Sequence, residues 1–328
     1  MQKPQSACFP DSVLGLVPDK TKCNIDFIEY MLQYFKIEVQ KYSIGSVQEN
    51  INLGTFENIY FPLPPLPTQT RIASILSSLD DKIELNRRMN QTLEQMAHTL
   101  FNHYFVNNID VGNLPEGWSI KDLKCFGNIV CGKTPSKKVS EYFEGDVPFI
   151  KIPDMHKSPF ILKTEDSLTQ MGANTQKNKF LPAGSLCVSC IATVGLFSIT
   201  TEPSQTNQQI NSIIPSKSIY KYFLYFCLTG LKEHLKMLGG GGTMTLNVNT
   251  TLFSNIELVK PPDESITVFD NEVKPLMELL LNNLKENDKL SKIRDTLLPK
   301  LMSGEIDVSQ LNEEKLEENY ATENILNA

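Results

Sequence analysis

Apolar residues between Thr68 and Phe105 recur on a heptad, and no Gly or Pro interrupts the run. Ile72, Leu79, Asn86, Leu93 and Leu100 take the a positions, and Leu76, Ile83, Asn90, Ala97 and Tyr104 the d positions. This spacing predicts one helix of about 38 residues, roughly 57 Å long, with Thr68 as its N-cap. A proline ladder (Pro62, Pro64, Pro65, Pro67) precedes it and predicts a stiff, extended entry. The seam is apolar at both ends and amide in the middle, and a rod of this length needs a partner to bury it.

The chain supplies that partner. Shifting the numbering by 197 places Asn52, Phe56, Asn58 and Ile59 on Asn249, Phe253, Asn255 and Ile256, and Pro64 and Pro65 on Pro261 and Pro262. The same shift places Asn86, Asn90, Leu93 and Leu100 on Asn283, Asn287, Leu290 and Leu297. The second seam reads Phe269, Leu276, Asn283, Leu290 and Leu297 at a, and Val273, Leu280, Asn287, Arg294 and Leu301 at d. Antiparallel packing brings the amide pairs level, so Asn86, Asn90, Asn283 and Asn287 are candidates for fixing helix register. Pro275 is tolerable near the start of the second rod or kinks it, and Pro299 followed by Gly304 is expected to end it.

Between the rods, short β-type runs (FGNIVC, DVPFIKI, SLCVSCIATVGLFSIT, QINSII) precede a helix expected over 218–238, a glycine run and TLNVNTTLFSNIELV. This predicts an α+β domain over 107–260. Residues 1–60 read as the end of a domain, with a short amphipathic helix over 26–36 and INLGTFENIYFPLP as a strand entering the first rod. The remaining divisions are a central helix at 61–106, a distal helix at 261–304 and an acidic tail at 305–328.

The net charge of −7 argues against a uniformly basic nucleic-acid binder, but it is unevenly spread. Residues 113–260 hold fifteen lysines, no arginine and eleven acidic residues, whereas 303–328 hold seven acidic residues and one lysine. No apolar run is long enough to span a membrane and the first residues do not form a signal peptide, so a cytoplasmic protein without membrane partners is expected. Seven cysteines, an odd number in mostly apolar contexts, read as reduced buried thiols; Cys187 and Cys190 lack the second CxxC pair that a zinc module needs, so no metal site is expected.

Gly127 to Thr134 reads GNIVCGKT and matches a phosphate-binding loop, in which Lys133 would hold nucleotide phosphates. Pro135 argues against it, because it drives Thr134 out of the helical region where that loop must open a helix. No catalytic set emerges from the four histidines or the carboxylates. Candidate DNA-contacting residues are Lys133, Thr134, Ser136, Lys137, Lys138 and Lys151, the amide run Asn207, Gln208 and Gln209, and Gly241, Thr243 and Asn247. Lysines neutralise phosphates, while Asn, Gln and Thr can read base edges.

Six segments in order, FPLPPLPTQTRIASIL (61–76), LPEGWSIKDL (114–123), GKTPS (132–136), LPAGSL with IATVG (181–195), TNQQINSI (206–213) and LLPKLMSGEIDV (297–308), resemble the specificity subunit of Type I restriction-modification systems. The resemblance implies globular target recognition domains joined by two long antiparallel coiled-coil helices, which act as a ruler and dock the methyltransferase subunits. Each recognition domain reads one half of a bipartite site in double-stranded DNA. It implies no catalysis and no cofactor on this chain. S-adenosylmethionine, ATP and Mg are expected on the modification and restriction subunits. Residues 1–60 then correspond to the C-terminal remnant of a first recognition domain, and 107–260 to a complete second one. A second half-specificity chain is a possible further partner. The alternatives are a P-loop nucleotide-binding enzyme and a coiled-coil interaction protein with no DNA role.

Overall fold

A computed structural model describes residues 13–42, 51–107, 109–156, 158–240 and 246–310. In chain order its elements are α1 (Ile25–Tyr34), α2 (Lys36–Gln40), α3 (Leu53–Phe56), α4 (Leu66–Phe105), β1 (Ser119–Asp122), β2 (Gly127–Cys131), β3 (Phe143–Ile150), β4 (Phe160–Ile161) and β5 (Asp166–Leu168). They continue with α5 (Gln170–Asn174), β6 (Leu186–Ser189), β7 (Phe197–Thr200), β8 (Gln205–Thr206), β9 (Ile210–Pro215), α6 (Tyr220–Gly230), α7 (Lys232–Gly239), α8 (Thr250–Ser254), β10 (Glu257–Lys260) and α9 (Asp263–Met302). The class is α+β with two long helices, as the periodicity predicts. Two compact units form. One joins the residues up to Arg88 to those from Glu286 onward, and the other comprises Met89–Lys285.

In the first unit, α1 presents Phe27, Ile28, Tyr30 and Met31 to Ile72, Ala73 and Leu76 of α4 and to Leu301 and Val308. Asn24 caps α1 by accepting from the Phe27 amide at 3.0 Å. Leu79 and Ile83 of α4 meet Leu290 of α9 farther along the seam. Arg294, an unexpected cation at a d position, donates to Asp80 Oδ1 at 2.6 Å, and Tyr30 donates to Asp80 Oδ2 at 2.6 Å. The charge is thus paired rather than stranded in the seam. Burial, followed by the hydrogen bond to Asp80, pushes the Tyr30 phenol well above its ordinary range. Asn86 donates to Asn287 Oδ1 at 2.9 Å and to Glu286 at 2.6 Å.

In the second unit, α6 lies in the main core with the ends of both long helices: Phe101 and Phe105 of α4, Phe269, Val273 and Met277 of α9, and Phe223 and Phe226 of α6 are all buried. Asn283 donates to Asn90 Oδ1 at 2.9 Å. The five-stranded sheet runs β2-β9-β6-β7-β4, and a three-stranded sheet runs β5-β3-β8. β1 pairs antiparallel with β10, matching Ser119 to Lys260 and Asp122 to Glu257.

Several expectations need correction. α4 begins at Leu66, ahead of Thr68, and takes Pro67 into its first turn, where a missing N–H costs nothing. Near its C-terminal end, Phe101 and Phe105 are buried, while the seam positions Leu100 and Tyr104 are only partly so. A 3.6-residue turn drifts against a 3.5-residue register, and the stripe has moved round by one position. INLGTFENIYFPLP is not a strand: Asn52 accepts from the Thr55 amide at 2.8 Å and caps the helical turn α3. The helix expected over 218–238 breaks at Leu231 into α6 and α7. α9 runs through both Pro275 and Pro299, which lie on exposed positions, and ends at Met302.

The 197-residue offset extends to whole elements. It carries α4 (66–105) onto α9 (263–302) residue for residue, and Asn52 onto Asn249, which caps α8 by accepting from the Leu252 amide at 2.9 Å. It also carries α1 onto α6, where Phe27, Ile28 and Met31 fall on the buried Leu224, Tyr225 and Leu228.

Candidate nucleic-acid interface

The site is built at one end of the second unit's sheets. Gly132 leaves β2 with its amide bonded to the Ile210 carbonyl at 3.0 Å, and the Lys133 amide reaches the Thr206 carbonyl at 2.9 Å. These bonds hold the 132–138 loop against the turn between β8 and β9. A Cβ on Gly132 would lie 2.0 Å from the Asn207 carbonyl oxygen and 2.2 Å from Thr206 Oγ1, so only glycine permits this approach. The Asn207 amide bonds to the Ile150 carbonyl at 3.1 Å and ties the same turn to the end of β3.

Underneath lies a buried amide relay. Gln176 donates to the Lys133 carbonyl at 2.7 Å and to Gln205 Oε1 at 2.8 Å, and Gln205 donates to the Ala173 carbonyl at 2.9 Å. The relay supports the loop from behind, with backbone carbonyls taking the donors that burial would otherwise strand.

The surface of this end holds a cavity of about 590 Å³, lined by Thr134, Pro135, Lys137, Phe143, Phe149, Lys151, Asp166, Asn207, Gln208 and Gln209. Lys151 forms an ion pair with Asp166. Within the amide run, Asn207 donates to Gln209 Oε1 at 2.9 Å and accepts from the Gln209 amide at 3.1 Å, so these two residues hold each other. Gln208 is exposed. Its Oε1 accepts from Thr134 Oγ1 at 2.7 Å, and its Nε2 has no partner among the described residues. That arrangement fixes the amide plane while leaving one lone pair and two N–H donors for a ligand.

Of the residues singled out from sequence, Thr134, Lys137, Lys151, Asn207, Gln208 and Gln209 come together around the cavity. Lys133, Ser136 and Lys138 are exposed on the same loop outside it. Asn247 is not in the cavity: it bridges Ile191, and its amide bonds to the Gly239 carbonyl at 3.0 Å. Gly241 and Thr243 lie outside the described residues. Asp166, Phe143 and Gln176 were not legible as site residues. Phe143 and Asp166 come from strands β3 and β5, which pair, Gln176 comes from the turn after α5, and no local motif marks them.

The other sequence signals resolve differently. The first five residues of the GNIVCGKT match form β2, paired with β9 from Gly127–Pro215 to Cys131–Asn211, and no α-helix opens at Gly132–Thr134. The phosphate-loop reading is therefore wrong: residues 127–131 are committed to the sheet, the Gly132 and Lys133 amides are spent on Ile210 and Thr206, and no helix N-terminus completes the loop. Cys187 and Cys190 sit in and beside the central strand β6. Burial pushes their thiols up to about 12 and about 11, and no cluster of metal-ligating side chains occurs among the described residues. No helix of the described residues is long and apolar enough to cross a membrane.

Comparison with known proteins agrees with this architecture. A family model described as the Type I restriction modification DNA specificity domain matches residues 3–95 and 115–288. The chain is 40% identical over 343 aligned positions to the Type I restriction enzyme HindI specificity subunit of Haemophilus influenzae, covering 84% of this chain and 74% of that protein. It is 26% identical over 326 positions to the putative MjaX specificity subunit of Methanocaldococcus jannaschii, covering 93% of this chain and 74% of that protein. The crystal structure of the Type I restriction-modification S subunit from M. genitalium superposes with a TM-score of 0.60 at 17% identity, over 86% of this chain and 74% of that one, so the fold is shared. The chain belongs to the family of Type I restriction-modification specificity subunits.

Proposed function

We propose that the unit Met89–Lys285 reads one half of a bipartite double-stranded DNA sequence through the 132–138 loop, Lys151 and the 207–209 turn. The observation that carries this is the convergence of lysines, a hydroxyl and a pre-oriented amide on one sheet end. Lysines supply phosphate contacts that position the duplex, and Gln208 is suited to a bidentate contact with adenine. The paired helices α4 and α9 scaffold the modification subunits. In this reading the chain itself performs no chemistry: S-adenosylmethionine belongs to the modification subunits, ATP and Mg to the restriction subunit, and the complex works in the cytoplasm. A second half-specificity chain supplies the other reading head. In support, the first unit repeats α6 to α9 in α1 to α4 but has no strand among its described residues.

The test is site-specific adenine methylation by the chain assembled with its modification subunits. Methylation at a split sequence that shifts or relaxes in Gln208→Ala supports the reading. Unchanged sequence preference after loss of Gln208 and Lys137 together would sink it.

A further inference from the structure

Residues 169–180 of the second unit are fastened to both ends of the stretch that contains the lysine loop. At one end, Thr169 donates its hydroxyl to the Glu141 carbonyl at 2.7 Å and its amide to the Tyr142 carbonyl at 3.0 Å. At the other, Gln176 donates to the Lys133 carbonyl at 2.7 Å. Between these clasps Gly172 lies so close to the loop that a Cβ would stand 2.2 Å from the Tyr142 carbonyl oxygen. The inner side of the segment is apolar: Ala173 is buried with Phe149 and Leu168, and Phe180 and Phe143 pack against the same cluster. Phe143 and Phe149 also line the cavity, so the segment and the cavity share a wall.

The outer side is polar. Asn174, Thr175, Lys177 and Asn178 are exposed and Lys179 is partly so. Thr175 turns its hydroxyl back to the Gly172 carbonyl at 2.7 Å, but the side chains of Asn174, Lys177, Asn178 and Lys179 have no partner among the described residues. Lys151 differs, since its charge is taken up by Asp166. No acidic residue occurs between Ser167 and Thr201, so nothing in this stretch offsets the two lysines. A merely solvated face would not need the backbone beneath it to be fixed. Here two buried amides do that work: Gln176 is 5% exposed and Gln205 fully buried, and their donors hold the Lys133 and Ala173 carbonyls. Open donors on a backbone already held in place bind a ligand with little further ordering.

We propose that residues 174–179 are a second contact element for the same DNA duplex, with Lys177 and Lys179 on phosphates and Asn174 and Asn178 on base edges. Lysine neutralises backbone charge without reading sequence, whereas an Asn amide offers a donor and an acceptor that match the adenine edge. The reading surface thus extends beyond the cavity onto the segment clasped to the lysine loop. The proposal rests on the DNA-reading assignment above, and variants of the two elements separate its failure from the failure of that assignment.

The experiment measures DNA binding by the chain assembled with its modification subunits over a salt series, on cognate and substituted sites, with folding of each variant checked by circular dichroism. Lys177→Ala, at an exposed position, should lower the slope of log affinity against log salt by about one, and adding Lys179→Ala by about two in all. Lys121→Ala, on β1 and preceding the opposite end of β2, should leave the slope unchanged. Asn174→Ala combined with Asn178→Ala should keep the slope and reduce discrimination between cognate and substituted sites about tenfold. An unchanged slope in the lysine variants, with Lys137→Ala still lowering it, overturns the second element and leaves the 132–138 reading intact. An unchanged slope in all of them overturns both. An equal fall in Lys121→Ala would mark a general charge effect and overturns the proposed contacts, and unchanged discrimination in the asparagine variant overturns the base-edge assignment.

Discussion

Asn283 donates its side-chain amide to Asn90 Oδ1 at 2.9 Å across the α4–α9 seam, in a position where the surrounding pattern calls for leucine. Asn90 Nδ2 has no partner of its own among the described residues. Buried amides of this kind cost stability and fix register, because any slip leaves them unpaired. Asn283→Ala should destabilise the chain by about 1–3 kcal/mol, since it strands Asn90. Replacing both residues by Leu should raise the melting temperature, measured by thermal unfolding. A melting temperature lower than that of the unsubstituted chain would show that the pair is a net source of stability.

Gly132→Ala tests whether close backbone approach builds the reading surface. The added methyl meets the backbone of Asn207, which cannot swing away as a flexible side chain would. A loss of about 2 kcal/mol or more is expected, of the size seen for overpacking. Sequence-specific methylation should fall even at temperatures where the variant remains folded.

Lysine and amide substitutions at the cavity should differ in kind. Lys133→Ala and Lys137→Ala are expected to weaken binding on all DNA sequences and to reduce the salt dependence by about one counterion each. Gln208→Ala should leave the salt dependence unchanged and cost about 1–3 kcal/mol against the preferred base at one position. Binding measured over a salt series, on cognate and substituted sites, distinguishes these outcomes.

Acid sensitivity should arise at the start of α9. Asp263 is held well below the ordinary carboxylate range by hydrogen bonds from Lys217 and Tyr220, with Lys260 adding to them. Its ionised form is the one the fold prefers. Its contribution to stability is therefore complete above the unfolded value of 3.8 and is lost as pH falls below it. Asp263→Asn should lower stability at neutral pH and flatten its decline between about pH 4 and pH 2. Urea denaturation across that range would measure the difference.

The long helices were legible because a 40-residue element repeats its apolar stripe often enough to outweigh local propensity. The misplaced strand before α4 shows the opposite case. Its β-branched and aromatic residues suggested extension, but one hydrogen bond from Thr55 to Asn52 was enough to turn four residues into helix. At the site, the lysine loop and the amide run could be named because their residue types are unusual together. Their relation to Asp166 and Phe143 could not, because it depends on β3 pairing with β5 through an irregular register. The division of labour within the amide run was also hidden: composition alone does not reveal that Asn207 and Gln209 satisfy each other and leave Gln208 outward.

The two amide contacts in the seam are one contact met twice. Asn86 bonds Asn287, and adding 197 to the first number while subtracting it from the second turns this into the bond between Asn283 and Asn90. At these amides each helix is as complementary to a second copy of itself as to the other, whereas Arg294 of α9 meets Asp80 at a position where α4 carries Ala97. In an antiparallel pair of peptides comprising Leu66–Phe105 alone, Asn86 of one helix would lie opposite Asn90 of the other. The amides themselves do not distinguish pairing within one chain from pairing between chains, and that choice falls to the rest of the seam, to tethering and to local concentration.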